Sequence, residues 1–374
     1  MKFVVSSSYL SSQLHTIGRV IASKNAIPIL DCFLFEVKSN KLTITAADTE
    51  TRMTTSIEVG EVEGEGSFAI TSKNILDSLK ELPEQPVTFE LNDDTLQLAI
   101  LYQNGKYNLT AQNGDEYPQA RPAPAEITTI TMSVENLLTG ISRTLFASAE
   151  DELRPVMNGV YFDLTGESIV FVASDGHKLV RFNNLAVKGN AEKPFILPKR
   201  PAQVLKSVLV RETGDTTISF NNNNAYFNFG QTTINVRLIE GRYPNYNSVI
   251  PQNNPFKVVV DRVLLLNALK RVSVFANPTT SLVKLSIDNS NIHVSTQDRD
   301  YATSAEEQIT CTYEGEQITI GFKGSYLIEI LSNIPSSEVI LELADPTRPG
   351  IILPFENEAD EDLLMLLMPM MLND

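Results

Sequence analysis

The chain has 374 residues, enough for two or three domains at roughly 150 residues each. Its 42% hydrophobic and 20% charged make-up is that of an ordinary globular protein and excludes long disordered tracts. The formal net charge of −16 excludes a uniformly basic nucleic-acid binder, although it says nothing about where the 30 basic residues sit.

The opening residues MKFVVSSSYLSSQL are too polar beyond Val5 for the apolar core of a signal peptide. Leu10, Leu14, Ile17 and Ile21 then recur at helical spacing, with Ser8 as a candidate cap. An alternating strand pair follows, FLFEVKSNKLTITAAD, turning at Asn40 and ending in Asp48. Ile75, Leu76, Leu79 and Leu82 mark a shorter helix, and ARPAPAE (120–126) reads as a proline-rich linker.

Beyond the linker the same order returns. Leu137, Leu138, Ile141 and Leu145 form a helical stripe behind Ser133, and YFDLTGESIVFVASD ends in Asp175. Val204, Leu205, Val208 and Leu209 make the short helix. After a second linker, PQNNP (251–255), the third round begins. It runs from Asp261 through Leu264, Leu265, Leu269 and Val272 to KLSIDNSNIHVSTQD, ending in Asp298, then to Leu327, Ile328, Leu331 and Ile334. The three aspartates are spaced 127 and 123 residues apart. Each period is long enough to bury its own core, which predicts a triplicated α+β domain, two helices on an antiparallel sheet, over 1–121, 127–250 and 256–374.

Catalytic material is sparse. No phosphate-binding loop, dinucleotide-binding glycine fingerprint, HExxH or G-x-S-x-G motif is present, and neither a cofactor nor a metal is expected. Of three histidines, His15 and His293 fall in helix and strand patterns and read as structural. Asp175-Gly176-His177 could be an acid–base or metal site, a turn closed by Asp and permitted by Gly, or part of a binding pocket lined by exposed His177 and Lys178. The two cysteines, Cys32 and Cys311, stand in no metal or redox spacing. With Leu363–Leu372, the longest apolar run, about half a membrane span, a cytoplasmic protein that contacts no membrane is expected.

Basic residues gather on the helices. Lys199, Arg200, Lys206 and Arg211 lie in a stretch without acids. Arg143 sits opposite its stripe, Arg262, Lys270 and Arg271 flank the first helix of the third round, and Lys73, Lys80 and Lys323 lie on or beside short helices. Each alone reads as a solvated helix face; their recurrence in all three rounds suggests one shared surface. The tail EADEDLLMLLMPMMLND carries Met365, Met368, Met370 and Met371, a last strand followed by an adaptable apolar end.

Several landmarks occur in order. They are Ile27-Pro28-Ile29-Leu30, Asn158-Gly159, Ser174 to Leu179, Gly241-Arg242-Tyr243-Pro244-Asn245-Tyr246, Ile320-Gly321-Phe322, Ser325-Tyr326 and Met368-Pro369-Met370. With the triplication, the chain resembles bacterial DNA polymerase III beta subunits, the sliding clamps, from residue 1 to about 372. The resemblance implies a head-to-tail homodimer, a six-domain ring with helices lining the hole, that encircles duplex DNA and catalyses nothing. It implies DNA contacts from Lys24 and Arg154, joining the basic helix residues Lys73, Lys80, Arg143, Lys199, Arg200, Lys206, Lys270 and Arg271. It implies a dimer joint at Tyr107, Leu109, Val274 and Phe275. It also implies a partner-peptide pocket of Met157, Ser174, Gly176, His177, Leu179, Pro244, Val249, Leu366, Met368, Pro369, Met370 and Leu372. The implied partners are the alpha-type polymerase subunit, an ATP-dependent clamp loader, and replication and repair proteins with clamp-binding peptides. The chain departs from the family at Met371 and Ser248, where basic residues are common, and in extending to Asn373 and Asp374.

Overall fold

The computed structural model describes residues 1–120, 126–189 and 193–372. Residues 121–125 of the expected first linker, and Asn373 and Asp374, lie outside the described residues.

The helices are α1 (Ser7–Ile17), α2 (Ser72–Lys80), α3 (Val134–Thr144), α4 (Lys199–Leu209), α5 (Arg262–Ser273) and α6 (Gly324–Ser332). In α1 the buried positions Leu10, Leu14 and Ile17 follow the expected stripe, but Ile21 lies past the helix end. The cap is Ser6, whose hydroxyl accepts the Tyr9 N–H at 3.1 Å, and Ser8 stands inside the helix. Asp261 caps α5 as expected, accepting the Leu264 N–H at 2.8 Å. Leu264 itself is 50% exposed, because the buried stripe of α5 is Leu265, Leu266, Ala268, Leu269 and Val272.

Each copy carries a three-stranded antiparallel meander. The first is β1 (Cys32–Lys38), β2 (Lys41–Ala47) and β3 (Thr51–Glu58), and Gly105–Thr110 follows as β4. The second is β5 (Gly159–Leu164), β6 (Ile169–Ser174) and β7 (Lys178–Asn184), with β8 (Asn224–Phe229) and β9 (Thr232–Arg237) later. The third is β10 (Leu282–Asp288), β11 (Asn291–Asp298) and β12 (Thr303–Thr310), followed by β13 (Ile318–Lys323) and β14 (Glu361–Leu367). Alternating side chains reach the cores, where Phe3 stacks on Phe89 at 4.8 Å and Phe162 on Phe195 at 4.5 Å. No helix among the described residues is long and apolar enough to cross a membrane.

The chain groups into two compact units, Met1–Glu135 with Gln203–Leu238, and Asn136–Ala202 with Ile239–Asp374. The second copy is therefore shared between them, and the cause is hydrogen bonding across the copy boundaries. In one unit β3 pairs antiparallel with β9, from Thr51 opposite Val236 to Thr55 opposite Thr232. In the other β7 pairs with β14, from Lys178 opposite Leu367 to Asn184 opposite Glu361. Each pairing fuses strands of two copies into a nine-stranded sheet.

Candidate partner-binding and nucleic-acid surfaces

The three repeated aspartates do the same work. Asp48 Oδ1 accepts the N–H groups of Glu50 and Thr51 at 2.8 and 2.7 Å. Asp175 Oδ1 accepts those of His177 and Lys178 at 2.8 and 2.9 Å, and Asp298 Oδ1 those of Asp300 and Tyr301 at 2.9 and 3.3 Å. All three close the turn between the second and third meander strands. The acid–base reading of Asp175-Gly176-His177 is thereby corrected: Asp175 Oδ2 is also engaged, by Lys178 Nζ at 3.0 Å.

Lys178 is not the exposed pocket residue the sequence suggested. It is 5% exposed, because its ammonium also bonds Glu329 Oε2 at 2.9 Å and lies 4.2 Å from the Tyr326 ring centroid on α6. Burial opposes the Lys178 charge, but the bonds to Glu329 and Asp175 outweigh it and raise the pKa. Burial likewise opposes ionisation of Asp175. The backbone N–H groups of Lys178 and His177 and the Lys178 ammonium prevail, holding the carboxyl below its usual range. A carboxyl depressed on folding stabilises the folded turn above the carboxylate range and stops doing so as pH falls through it. Taking the protein from pH 7 to pH 3 is expected to lower the amide protection factors of His177 and Lys178 before those of mid-strand residues. Equal protection at both pH values would refute this account of the turn.

Beneath the turn lies an apolar floor. Leu179 and Leu366 face each other across the β7–β14 ladder and pack with Val172, Ile196, Tyr243, Tyr246, Ile250 and Ile351. Met157 is buried nearby in sequence to Val156, which packs on the same cluster. Pro244 and Val249 are exposed beside the buried Tyr243 and Ile250. Ser174 is buried, donating its hydroxyl to the Lys178 carbonyl at 2.9 Å and accepting the Gly176 N–H at 3.1 Å. Gly176 has φ +89°, a backbone conformation that favours glycine, and a Cβ there would press on the end of the Arg154 side chain at 2.6 Å.

The tail adds the second wall. The Met368 N–H donates to the His177 carbonyl at 2.8 Å, which continues the ladder into the turn. After Pro369, the Met370 N–H donates to the Gly321 carbonyl of β13 at 2.8 Å. Met370, Met371 and Leu372 then line a groove of about 850 Å³ with residues of β10, β11 and β12, including Leu282, Lys284 and Ser304. So His177, Leu179, Leu366 and Met368 come together as expected, whereas Met370 and Leu372 turn onto the sheet of the third copy.

The expected DNA contacts divide into groups. Lys24, Lys73, Lys80 and Lys270 are exposed and Lys206 half-buried, and none makes an ion pair among the described residues. Arg200 is exposed at the start of α4. Lys199 is engaged by Glu150 Oε1 at 2.9 Å, and Arg271 by Glu307 through two bonds, one of 3.0 Å. Arg143 is half-buried, with its Nε enclosed by protein. Arg262 is held by the carbonyls of Ser336 and Leu331 at 2.7 and 3.1 Å. Arg154 departs furthest from expectation. It bonds Asp151 Oδ2 at 2.8 Å and the Asp175 carbonyl at 3.3 Å, so it stands at the rim of the Leu179–Leu366 floor.

Tyr107 and Leu109 alternate on β4, the outer strand of a five-stranded sheet. Val274 and Phe275 end α5, 77% and 44% exposed. Sequence reasoning missed their neighbour β12, the outer strand of a four-stranded sheet, which Arg271 of α5 clasps through Glu307. Ala305 and Ile309 are the only apolar residues of β12, too few to mark a strand by alternation.

Three family models match the chain in succession. They describe the N-terminal domain of the DNA polymerase III beta subunit over residues 1–121, its central domain over 131–245 and its C-terminal domain over 247–371. The beta sliding clamp of Synechococcus elongatus is 28% identical over 362 residues, covering 95% of this chain and 96% of that one. Among solved structures, a DnaN sliding clamp from Bartonella birtlesii bound to griselimycin superposes with a TM-score of 0.93 at 26% identity, and a DNA polymerase III beta subunit from Thermotoga maritima with 0.90 at 27%, each over the whole of both chains. From the order of its three domains and its full-length likeness to such proteins, this chain belongs to the DNA polymerase III beta subunit family, the bacterial sliding clamps.

Proposed function

We propose that two copies of this chain close head to tail into a cytoplasmic ring around duplex DNA. The domains span 1–121, 127–250 and 256–374, and the first of one chain meets the third of the other. The observation that carries the ring is a pair of open sheet edges. One is β4 with the half-buried Tyr107 and Leu109; the other is β12 next to α5, with the exposed Val274 and Phe275. Lys106 on β4 and Glu306 on β12 are both exposed and of opposite charge. An unpaired edge is a template for another strand, and two such contacts close a dimer. Once an ATP-dependent loader has placed it, the ring should stay on circular DNA and slide off linear DNA. Equal retention on both would overturn the reading.

The DNA contacts carry no sequence information, since they go to phosphates. Replacing Lys24, Lys73, Lys80, Lys206 and Lys270 by Ala is expected to flatten the salt dependence of duplex binding by about one unit per lost phosphate contact. Lys199→Ala and Arg271→Ala should each change it less, because Glu150 and Glu307 already neutralise them. Titrations at several salt concentrations decide; an equal effect of the paired residues would refute the distinction.

The Leu179–Leu366 floor, walled by His177 and Met368 and rimmed by Arg154, takes short peptides with apolar anchors from the polymerase alpha-type subunit, the loader and repair proteins in turn. Thioether side chains repack around differing anchors, which suits exchange.

A further inference from the structure

The triplication makes two copy junctions, and they are alike in detail. Shifting by 127 residues carries Pro28 to Pro155, Leu30 to Met157 and Asp48 to Asp175. The same shift carries β3 onto β7, so Arg52 falls where Leu179 stands. Ladder register supplies the other side. Arg52 faces Asn235 as Leu179 faces Leu366, and Arg237, two residues after Asn235, holds the place of Met368, two residues after Leu366.

The first junction therefore has the second junction's backbone frame with its chemistry inverted. It forms a cleft of about 270 Å³ whose polar lining includes Arg52, Arg237, Asn224 and Asn235 with Asp48 and Glu50, while Ile27, Leu30 and Ala47 supply its apolar part. Arg237 pairs across the ladder with Asn224, so one sheet face carries two guanidinium groups and two amides. Arg52 is fixed there: it donates to the Pro118 carbonyl and lies 5.6 Å from the Tyr117 ring centroid. The small apolar cluster of this junction, around Leu30, Ala47 and Tyr117, includes neither Arg52 nor Asn235. At the rim the exchange runs the other way, Ile27 standing where Arg154 stands.

We infer that Arg52, Asn235 and Arg237 are specificity-determining residues that close the first junction to apolar-anchored peptides and confine them to the second. The inference rests on the pocket reading above. An anchor seated on the Arg52 face would strip water from two guanidinium groups, two amides and the adjoining Asp48 and Glu50 carboxylates and offer them no hydrogen bond in return, which rejects it more strongly than a poor apolar fit would.

The test is a calorimetric titration of the full chain with a synthetic peptide carrying a glutamine followed by Leu and Phe anchors. The wild type should bind one peptide per chain. The triple variant Arg52→Leu, Asn235→Leu, Arg237→Met should bind two, the first with unchanged affinity, which also reports that the chain is folded. The reciprocal variant Met368→Arg changes an exposed side chain and should weaken wild-type binding at least tenfold. Two peptides on the wild type, one on a folded triple variant, or full affinity in Met368→Arg would each overturn the inference. No binding by the wild type would instead overturn the pocket reading and this inference with it.

Discussion

Ending the chain after Leu367 should reduce binding of the glutamine–Leu–Phe peptide from micromolar to undetectable. The cut spares every residue of β14, so the ladder from Lys178–Leu367 to Asn184–Glu361 stays intact. It removes Met368, whose N–H is bonded to the His177 carbonyl, and Pro369 and Met370, which carry the chain on to Gly321. The Leu179–Leu366 floor would then lack one wall. Burying a Leu or Phe anchor is worth roughly 1.5–3 kcal/mol, so each anchor left wet costs roughly 10- to 150-fold in affinity. Fluorescence anisotropy of a labelled peptide measures this, with sedimentation showing that the truncated chain still dimerises. A truncated protein that binds as tightly as the full chain would move the pocket elsewhere.

Val274→Asp is expected to yield monomers. Val274 is 77% exposed in the single chain, so the substitution leaves the chain's own core untouched. In the proposed joint the new carboxylate would be buried against the apolar face of Tyr107 and Leu109 without a partner. An uncompensated buried charge costs about 3–5 kcal/mol, a weakening of roughly 10²-fold or more. Sedimentation at micromolar concentration would show the shift from dimer to monomer. A variant that remains dimeric at wild-type affinity would refute the joint at these residues.

Much of the fold was legible because periodicity is local. The three hairpins appear where the alternation placed them, and the buried stripe of α4 matches its spacing in full, while Ile21 and Leu145 fall past the ends of α1 and α3 and Leu138 is half-buried. Leu264 was misjudged because a run of three leucines fits two stripes equally well, and only the neighbouring elements choose between them. Lys178 was misjudged because its burial depends on Glu329 and Tyr326, some 150 residues away and invisible to any window. Arg154 was assigned to DNA by the family resemblance, whereas its hydrogen bonds go to Asp151 and to the Asp175 carbonyl of the turn, contacts that depend on how the chain folds. The tail was legible as odd, but not as a strap running from the His177 carbonyl to the Gly321 carbonyl.

The ladder that fuses the first two copies also has a consequence in time. Thr51 and Thr55 wait for Val236 and Thr232, partners about 180 residues downstream. At roughly 5–20 residues per second of synthesis, β3 stands as an open edge for about 10–35 s. During that interval a neighbouring nascent chain on the same message could offer it the wrong strand. Arg52 lies near the start of that exposed stretch, and a cation on an edge strand is one of the devices that discourage intermolecular pairing. The residue that polarises the first junction in the finished protein thus guards the same strand while the protein is being made.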